Sequence, residues 1–351
     1  MLSRVAERIY WMARYIERAE NTARMINVNA NLLLDLPKKV TLGWQPLIAI
    51  TSSKKSYDEL YTEINERNVV KFLIADAKYP GSLINALSAA RENARTIRDI
   101  IPREAWEKVN DLYLSTKNQL PQGLALRNRY DLLGHIIGST QGITGLLAGT
   151  MTHNLGYDFL RMGRNLERAD MTSRIIDVRS ANLLPDEPES LMPYETIQWM
   201  SVLQSLSAYQ NYRQQIQSRV QRGEVLKYLL QDIYFPRAFN HCLHEVQSSL
   251  KNLPRHMVPI RQLNNIIRNV ETTDMDKVSK KALHRYIDDL QLQLAKLHET
   301  IRATYFSIKD EPAEKPKKKK LKKAAVKSAT AKIATAKIAK APSAQNAAVG
   351  K

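Results

Sequence analysis

Ile9, Met12, Ala13, Ile16, Ala19, Ala23 and Ile26 recur three and four residues apart, the spacing of one helix face. Phe159, Met162, Gly163, Leu166, Ala169, Ser173 and Ile176 draw the same stripe later in the chain. The small residues on both stripes predict close approach to another helix. Ser3 is placed to cap a helix that runs to about Asp35, before Pro37. Asn68 and Pro80 mark further starts, and Pro102 opens a segment around Trp106. Long helices are predicted at about 124–150 and 157–183, the second ending before Pro185. Others follow at about 194–216, 224–233, 236–250 and 278–306. Pro236 suits a helix start, where its missing N–H is not needed. No sustained alternation of period two is present, so a sheet is not expected. The fold class predicted is all-α.

The two stripes belong to a longer correspondence. Met12–Val28 and Met162–Val178 are identical at nine of seventeen positions, at a constant offset of 150. Trp44 and Tyr57 answer Trp199 and Tyr212 at offset 155. KFLIADAKYPGSLINAL (71–87) answers KYLLQDIYFPRAFNHCL (227–243) at offset 156, and Arg129-Tyr130 answers Arg285-Tyr286 at the same offset. The common order and slowly drifting offset predict a tandem duplication. The result is a pseudo-two-fold helical bundle over residues 1–308, with halves of about 1–150 and 151–308. Two long copies do not make a solenoid, which needs three or more short repeats.

A polar stripe runs beside the apolar one. Arg14, Glu17, Arg18 and Asn21 form it in the first copy, and Arg164, Glu167 and Arg168 answer them in the second. Exposed charges interchange at little cost, since pairs three or four apart on a helix contribute only about 0.2–0.5 kcal/mol. Neighbours that look exposed do change between copies: Tyr15 to Asn165, Asn21 to Met171, Asn29 to Arg179. Arg14, Glu17 and Arg18 do not. Three readings stay open for them: a partly buried network across the pseudo-two-fold, a polar ligand or catalytic site, and a solvated face.

YWMARYIERAENTAR near the N-terminus and FLRMGRNLERAD near the middle resemble the signatures of the alpha-E family. The resemblance covers about residues 1–308. It implies a bacterial all-helical domain with a Glu-Arg motif and no assigned activity. It also implies a setting beside a circularly permuted ATP-grasp protein and a transglutaminase-like protein. Those neighbours in turn imply a peptide or amide-bond ligation pathway. Only Arg14, Glu17, Arg18, Arg164, Glu167 and Arg168 carry over from the motif, and no catalytic role comes with them.

Composition adds bounds. The net charge is +18, and the thirteen lysines and three acids from Lys309 onward put +10 of it in the last 43 residues. That Lys/Ala-rich segment, 309–351, lacks aromatics and is expected to be a disordered basic tail. Lysines there can bind nucleic acid or other polyanions without sequence specificity. Cys242 is the sole cysteine, which excludes an internal disulfide and fits a cytoplasmic setting. MLSRVAERIYWMAR has charges every few residues and no apolar stretch, unlike a signal peptide. Leu132–Asn154 carries no Asp, Glu, Lys or Arg but holds five glycines and several polar residues. It reads as a buried helix and not a membrane span. The glycines, Gly134, Gly138, Gly142, Gly145 and Gly149, line one face and predict close contact with another helix, with a groove for a ligand against exposed backbone as the alternative.

No cofactor or metal is called for. His241, Cys242, His244 and Glu245 cluster, but the matching stretch 85–88 holds none of these ligands. A Gly-rich phosphate loop, a G-x-S-x-G and a His-Glu-x-x-His are absent. The function expected first is an accessory or interaction subunit of an ATP-grasp-type ligation pathway. One alternative is an enzyme of that pathway, with Glu17 or Glu167 as general base and the arginines holding a carboxylate or phosphate. The other is polyanion association through the tail.

Overall fold

A computed structural model of the chain describes residues 2–35, 43–181 and 192–307. The tail read as disordered lies outside them. Fourteen α-helices order the described residues, and no strand occurs among them. Helix α1 spans Ser3–Asp35. It is followed by α2 Gln45–Ile50, α3 Lys54–Leu60, α4 Glu66–Ala75, α5 Leu83–Thr96, α6 Arg103–Gly123 and α7 Leu126–Thr150. Then come α8 Leu155–Ala181, α9 Met192–Ser205, α10 Tyr209–Gln215, α11 Arg222–Gln231, α12 Phe239–Lys251, α13 Met257–Thr272 and α14 Lys280–Ile301. A π-helical turn, Arg302–Phe306, extends α14.

Local chemistry sets several boundaries. Asn65 Oδ1 accepts from the Asn68 amide at 2.9 Å and caps α4, one turn earlier than the start expected at Asn68. Ser279 caps α14 in the same way, through the Ala282 amide at 3.2 Å. The span 194–216 is two helices and not one. It breaks at Ser207, whose φ of 52° lies in the left-handed region. Ser52, between α2 and α3, has a φ of 50°. Pro80 and Pro236 stand in the turns before α5 and α12 and not at their starts. Helix α13 lies outside the segments delimited from sequence, although Leu263, Ile266, Ile267 and Val270 recur at helical spacing and are buried.

The longest helices, α1 and α8, pack on each other at the centre. Their stripes of small residues are what lets them meet: a methyl on Gly163 would run into the Tyr10 carbonyl oxygen. Helix α1 also packs on α5, α7 and α9; α8 packs on α12, α14 and α2. Outer pairs α5–α6, α6–α7, α12–α13 and α13–α14 complete the bundle. One continuous apolar core joins them. It contains every member of both predicted stripes that carries an apolar side chain, and Ser173 and Gly163 are buried beside it.

Two sequence expectations need correction. The glycines of α7 do not meet another helix. All five are exposed, and a Cβ on any of them would have nothing within 4 Å. Within 132–150, helix α7 is buried along Leu132, Leu133, Ile136, Thr140, Ile143 and Leu147, so the segment is amphipathic and not a fully buried helix. His135 and Gln141 are exposed, while the buried Thr140 hydroxyl donates to the Ile136 carbonyl at 2.9 Å. The second correction concerns the drifting neighbours. Asn21, Asn29, Asn165 and Met171 are buried and not exposed, because α1 and α8 are covered on most sides. Among the described residues no helix is long and apolar enough to cross a membrane.

Candidate functional site: crossed Glu-Arg pairs between the central helices

At the crossing of α1 and α8, each glutamate of the motif is held by arginines of the other helix. Glu167 accepts from Arg14 Nε at 2.7 Å and from Arg18 Nε and a terminal nitrogen of Arg18 at 2.6 and 3.1 Å. Glu17 accepts from Arg168 Nε and a terminal nitrogen at 2.9 and 2.8 Å. The Arg18 and Arg168 forks are bidentate, the geometry that suits a planar guanidinium. Both glutamates are buried, 1% and 2% exposed. The structure thus brings five of the six motif residues together.

The sixth stands apart. Arg164 has a buried Nε without a hydrogen-bond partner and makes no ion pair among the described residues. Burial and the nearby Arg168 push its pKa down. Its place on Glu17 is taken by Arg237, from the turn before α12. Arg237 donates to Glu17 Oε1 and Asn21 Oδ1 at 2.9 Å each and to Glu20 Oε1 at 2.5 Å. Glu20 is also gripped by Arg24, one helical turn on. Asp170 and Arg174 form the matching pair on α8 at 2.9 Å. Arg24 and Arg174 both reach a serine at positive φ, Ser207 at 2.6 Å and Ser52 respectively.

Arg14 sits in an aromatic corner that Arg164 lacks. Its guanidinium lies 5.1 Å from the Trp11 ring centre and donates to the Tyr10 hydroxyl at 3.3 Å. That hydroxyl lies 2.8 Å from His298 Nδ1 on α14. Burial, with Arg14 beside it, lowers the His298 pKa to about 4.

The electrostatics follow from burial against pairing. Burial alone would raise both glutamates. The guanidiniums of Arg168 and Arg237 outweigh it at Glu17, and those of Arg14 and Arg18 do so at Glu167. Both carboxyls are held at about 2. A carboxylate that acidic is a poor proton acceptor near neutral pH, and its lone pairs face guanidiniums.

The cluster around Cys242 disperses. His241 Nδ1 contacts the Ile233 carbonyl at 2.8 Å, His244 pairs with Glu271 at 3.2 Å, and Glu245 pairs with Arg161 at 2.7 Å. Burial pushes the Cys242 thiol up to about 12. The ligand atoms that do converge belong to Asp177, His284 and Asp288, with His284 Nδ1 already 2.6 Å from Asp177. Sequence spacing gave no sign of that group, since it joins α8 to α14. Arg237 and Glu20 lie outside the polar stripe read from sequence, whereas Asn21 belongs to it. Glu20 and Asn21 lie in the matched segment itself, and Arg237 lies where the other copy has Gly81.

The family model of Alpha-E, described as a predicted alpha-helical domain with a conserved ER motif, matches residues 1–306. Uncharacterised proteins of Mycobacterium bovis and Mycobacterium tuberculosis are each 21% identical over 85% of this chain. The chain spans 36% of the length of those relatives. No solved structure matches. With its two Glu-Arg motifs locked across the central helices and the match running through the described bundle, the chain belongs to the Alpha-E family.

Proposed function

We propose that this chain is an accessory, interaction subunit of an ATP-grasp-type peptide or amide-ligation pathway, working in the cytoplasm. On this reading the Glu-Arg motifs build the scaffold and are not a reaction centre. The observation that carries it is the crossing itself: Glu17 and Glu167 are buried, and each is held by two arginines, Arg168 and Arg237 at Glu17 and Arg14 and Arg18 at Glu167. A general base needs a pKa nearer the working pH. The rigid bundle offers outer faces for docking, including the exposed glycine-lined face of α7. In the mycobacterial relatives the matching segment is just over a third of a longer chain, which suits a module joined to other parts.

We further propose that the bundle is an internal duplication. Support comes from the offsets of 150 to 156 between matched segments. The packing partners of α1 and α8 also answer one another, α5 with α12, α7 with α14 and α9 with α2. Ser52 and Ser207, at offset 155, share a left-handed backbone.

The deciding experiment is purification of the chain from its native cell with identification of what comes with it. A ligase-like protein of the ATP-grasp type is the expected companion. Its reproducible absence would remove the reading. The tail carries a second, separable activity on the strength of its +10 charge: binding of polyanions. Removing 309–351 should remove most retention on DNA at low salt, where such contacts are strongest. Unchanged affinity would refute it.

A further inference from the structure

The matched segments 71–87 and 227–243 place Gly81 where the second copy has Arg237. The two sites share a buried glutamate gripped by one arginine of the crossing helix and a second acid one turn on, and differ in that Arg14 also holds Glu167 and Met171 stands for Asn21. Glu17, Glu20 and Asn21 surround the Arg237 guanidinium; their counterparts Glu167, Asp170 and Met171 line a cavity of about 220 Å³ beside Gly81. Arg18 grips Glu167 with the same two nitrogens that Arg168 uses on Glu17. Thr172 donates to the Arg237 carbonyl at 2.9 Å, and Arg168 to the Pro236 carbonyl at 3.3 Å, so the turn closes on the second site. At the first site Thr22, 2% exposed, faces the cavity with no hydrogen bond among the described residues. Tyr79 folds over Gly81, and the turn leaves the space open.

The unused groups at this cavity are acceptors. Glu167 Oε1 takes one bond, from Arg18 Nε, where Glu17 Oε1 takes three, from Arg168 Nε, Arg237 and Asn21. Asp170 is engaged through Oδ2 by Arg174. Arg18 and Arg174 each hold one of these carboxylates, Glu167 and Asp170 respectively. Open lone pairs on Glu167 and Asp170, at the positions whose counterparts hold Arg237, suit a donor-rich cation. Its volume is that of about seven waters at liquid density, enough for a guanidinium and part of its stem.

We propose that the Gly81 cavity binds a guanidinium group, seated on Glu167 and Asp170 as the Arg237 side chain is seated on Glu17 and Glu20. The group can belong to a free guanidino compound or to an arginine of a peptide. The duplication, and not the ligation pathway, underlies this inference, so the native-cell purification leaves it untouched.

Calorimetric titration of the full chain tests it, with N-acetylarginine amide, its uncharged citrulline analogue, an arginine-containing peptide and inorganic phosphate as probes. The arginine amide should saturate at millimolar concentrations or below. The citrulline analogue should bind at least about tenfold more weakly, because it lacks the charge-assisted fork. Asp170→Asn should lose a similar factor at an unchanged melting temperature, and Asp170→Glu, which restores the residue of the other copy, should retain binding. Tighter binding of the peptide than of the amide assigns the group to a protein partner; equal binding assigns it to a small compound. The proposal falls if no guanidinium probe saturates, if citrulline binds equally, if Asp170→Asn binds as the parent does, or if phosphate alone binds there.

Discussion

At the residue scale the decisive comparison is between two roles for Glu17 and Glu167. A buried ion pair contributes little over an apolar pair, but removing one partner strands a buried charge and costs about 3–5 kcal/mol. Glu17→Gln strands Arg168 and leaves Arg237 with Glu20 as its one carboxylate; Glu167→Gln strands Arg14 and Arg18. Each is therefore expected to destabilise the chain by about that amount in a denaturant titration. A loss below about 1 kcal/mol would point to the solvated or catalytic alternatives instead. The same pairs set an acid limit. Both carboxyls sit near 2 in the folded chain, against about 4.3 for an unfolded glutamate. A depressed pKa stabilises above the unfolded value, and that contribution drains away as pH falls from about 4 toward 2. Circular dichroism should show helix loss in that window. In Glu17→Gln the part owed to Glu17 is already gone, so the drop there should be shallower. Arg14, Glu17, Arg18, Glu167 and Arg168 were legible because two copies kept them at one spacing. Arg237 was not, since its role depends on a difference between copies and on contacts across 216 to 220 residues of chain.

At the element scale, glycine separates two kinds of helix face. Gly163 on α8 faces the Tyr10 backbone, and Gly138 on α7 faces solvent. Gly163→Ala should destabilise by about 1–3 kcal/mol, since a backbone oxygen cannot swing aside and the helices must part. Gly138→Ala should stabilise by up to about 1 kcal/mol, through helix propensity and a less flexible unfolded chain. Thermal melts of the two variants give opposite shifts if the packing of α1 on α8 is as described. An equal response would mean that the α7 face is covered in solution. Helical periodicity foresaw the contact at Gly163, because its stripe also carries Met162, Leu166 and Ala169. It misjudged α7 for a physical reason: evenly spaced glycines fix a face but not what lies against it. The turns were also hard to read. The break at Ser207 rests on one left-handed residue that is not glycine, and Pro236 fits a turn before a helix as well as a helix start.

At the scale of the whole molecule, the bundle is joined at its centre and not at a seam between independent halves. Helix α1 of the first half packs on α8 and α9 of the second, while α8 packs back on α2 and α1. Glu17 and Glu167 have their counter-ions in the other half, and Asn21 adds only a hydrogen bond to Glu17 from its own helix. A fragment of residues 1–150 would thus expose the apolar stripe of α1 and leave Glu17 without Arg168 and Arg237. A fragment of 151–308 would leave Glu167 without Arg14 and Arg18. Both losses combine exposed core with unpaired buried charge, two of the costliest changes available to a domain. The connection at Met151–Asn154 is short and outside any helix, so cutting there spares every helix. The halves expressed separately should each show little cooperative unfolding. Mixed in equal amounts, they should recover a single transition that rises with concentration, as expected when folding is coupled to association. Two cooperative, concentration-independent transitions from the separate halves would show instead that each half folds alone. The crossed Glu-Arg pairs would then act as a clasp between finished domains and not as part of one core.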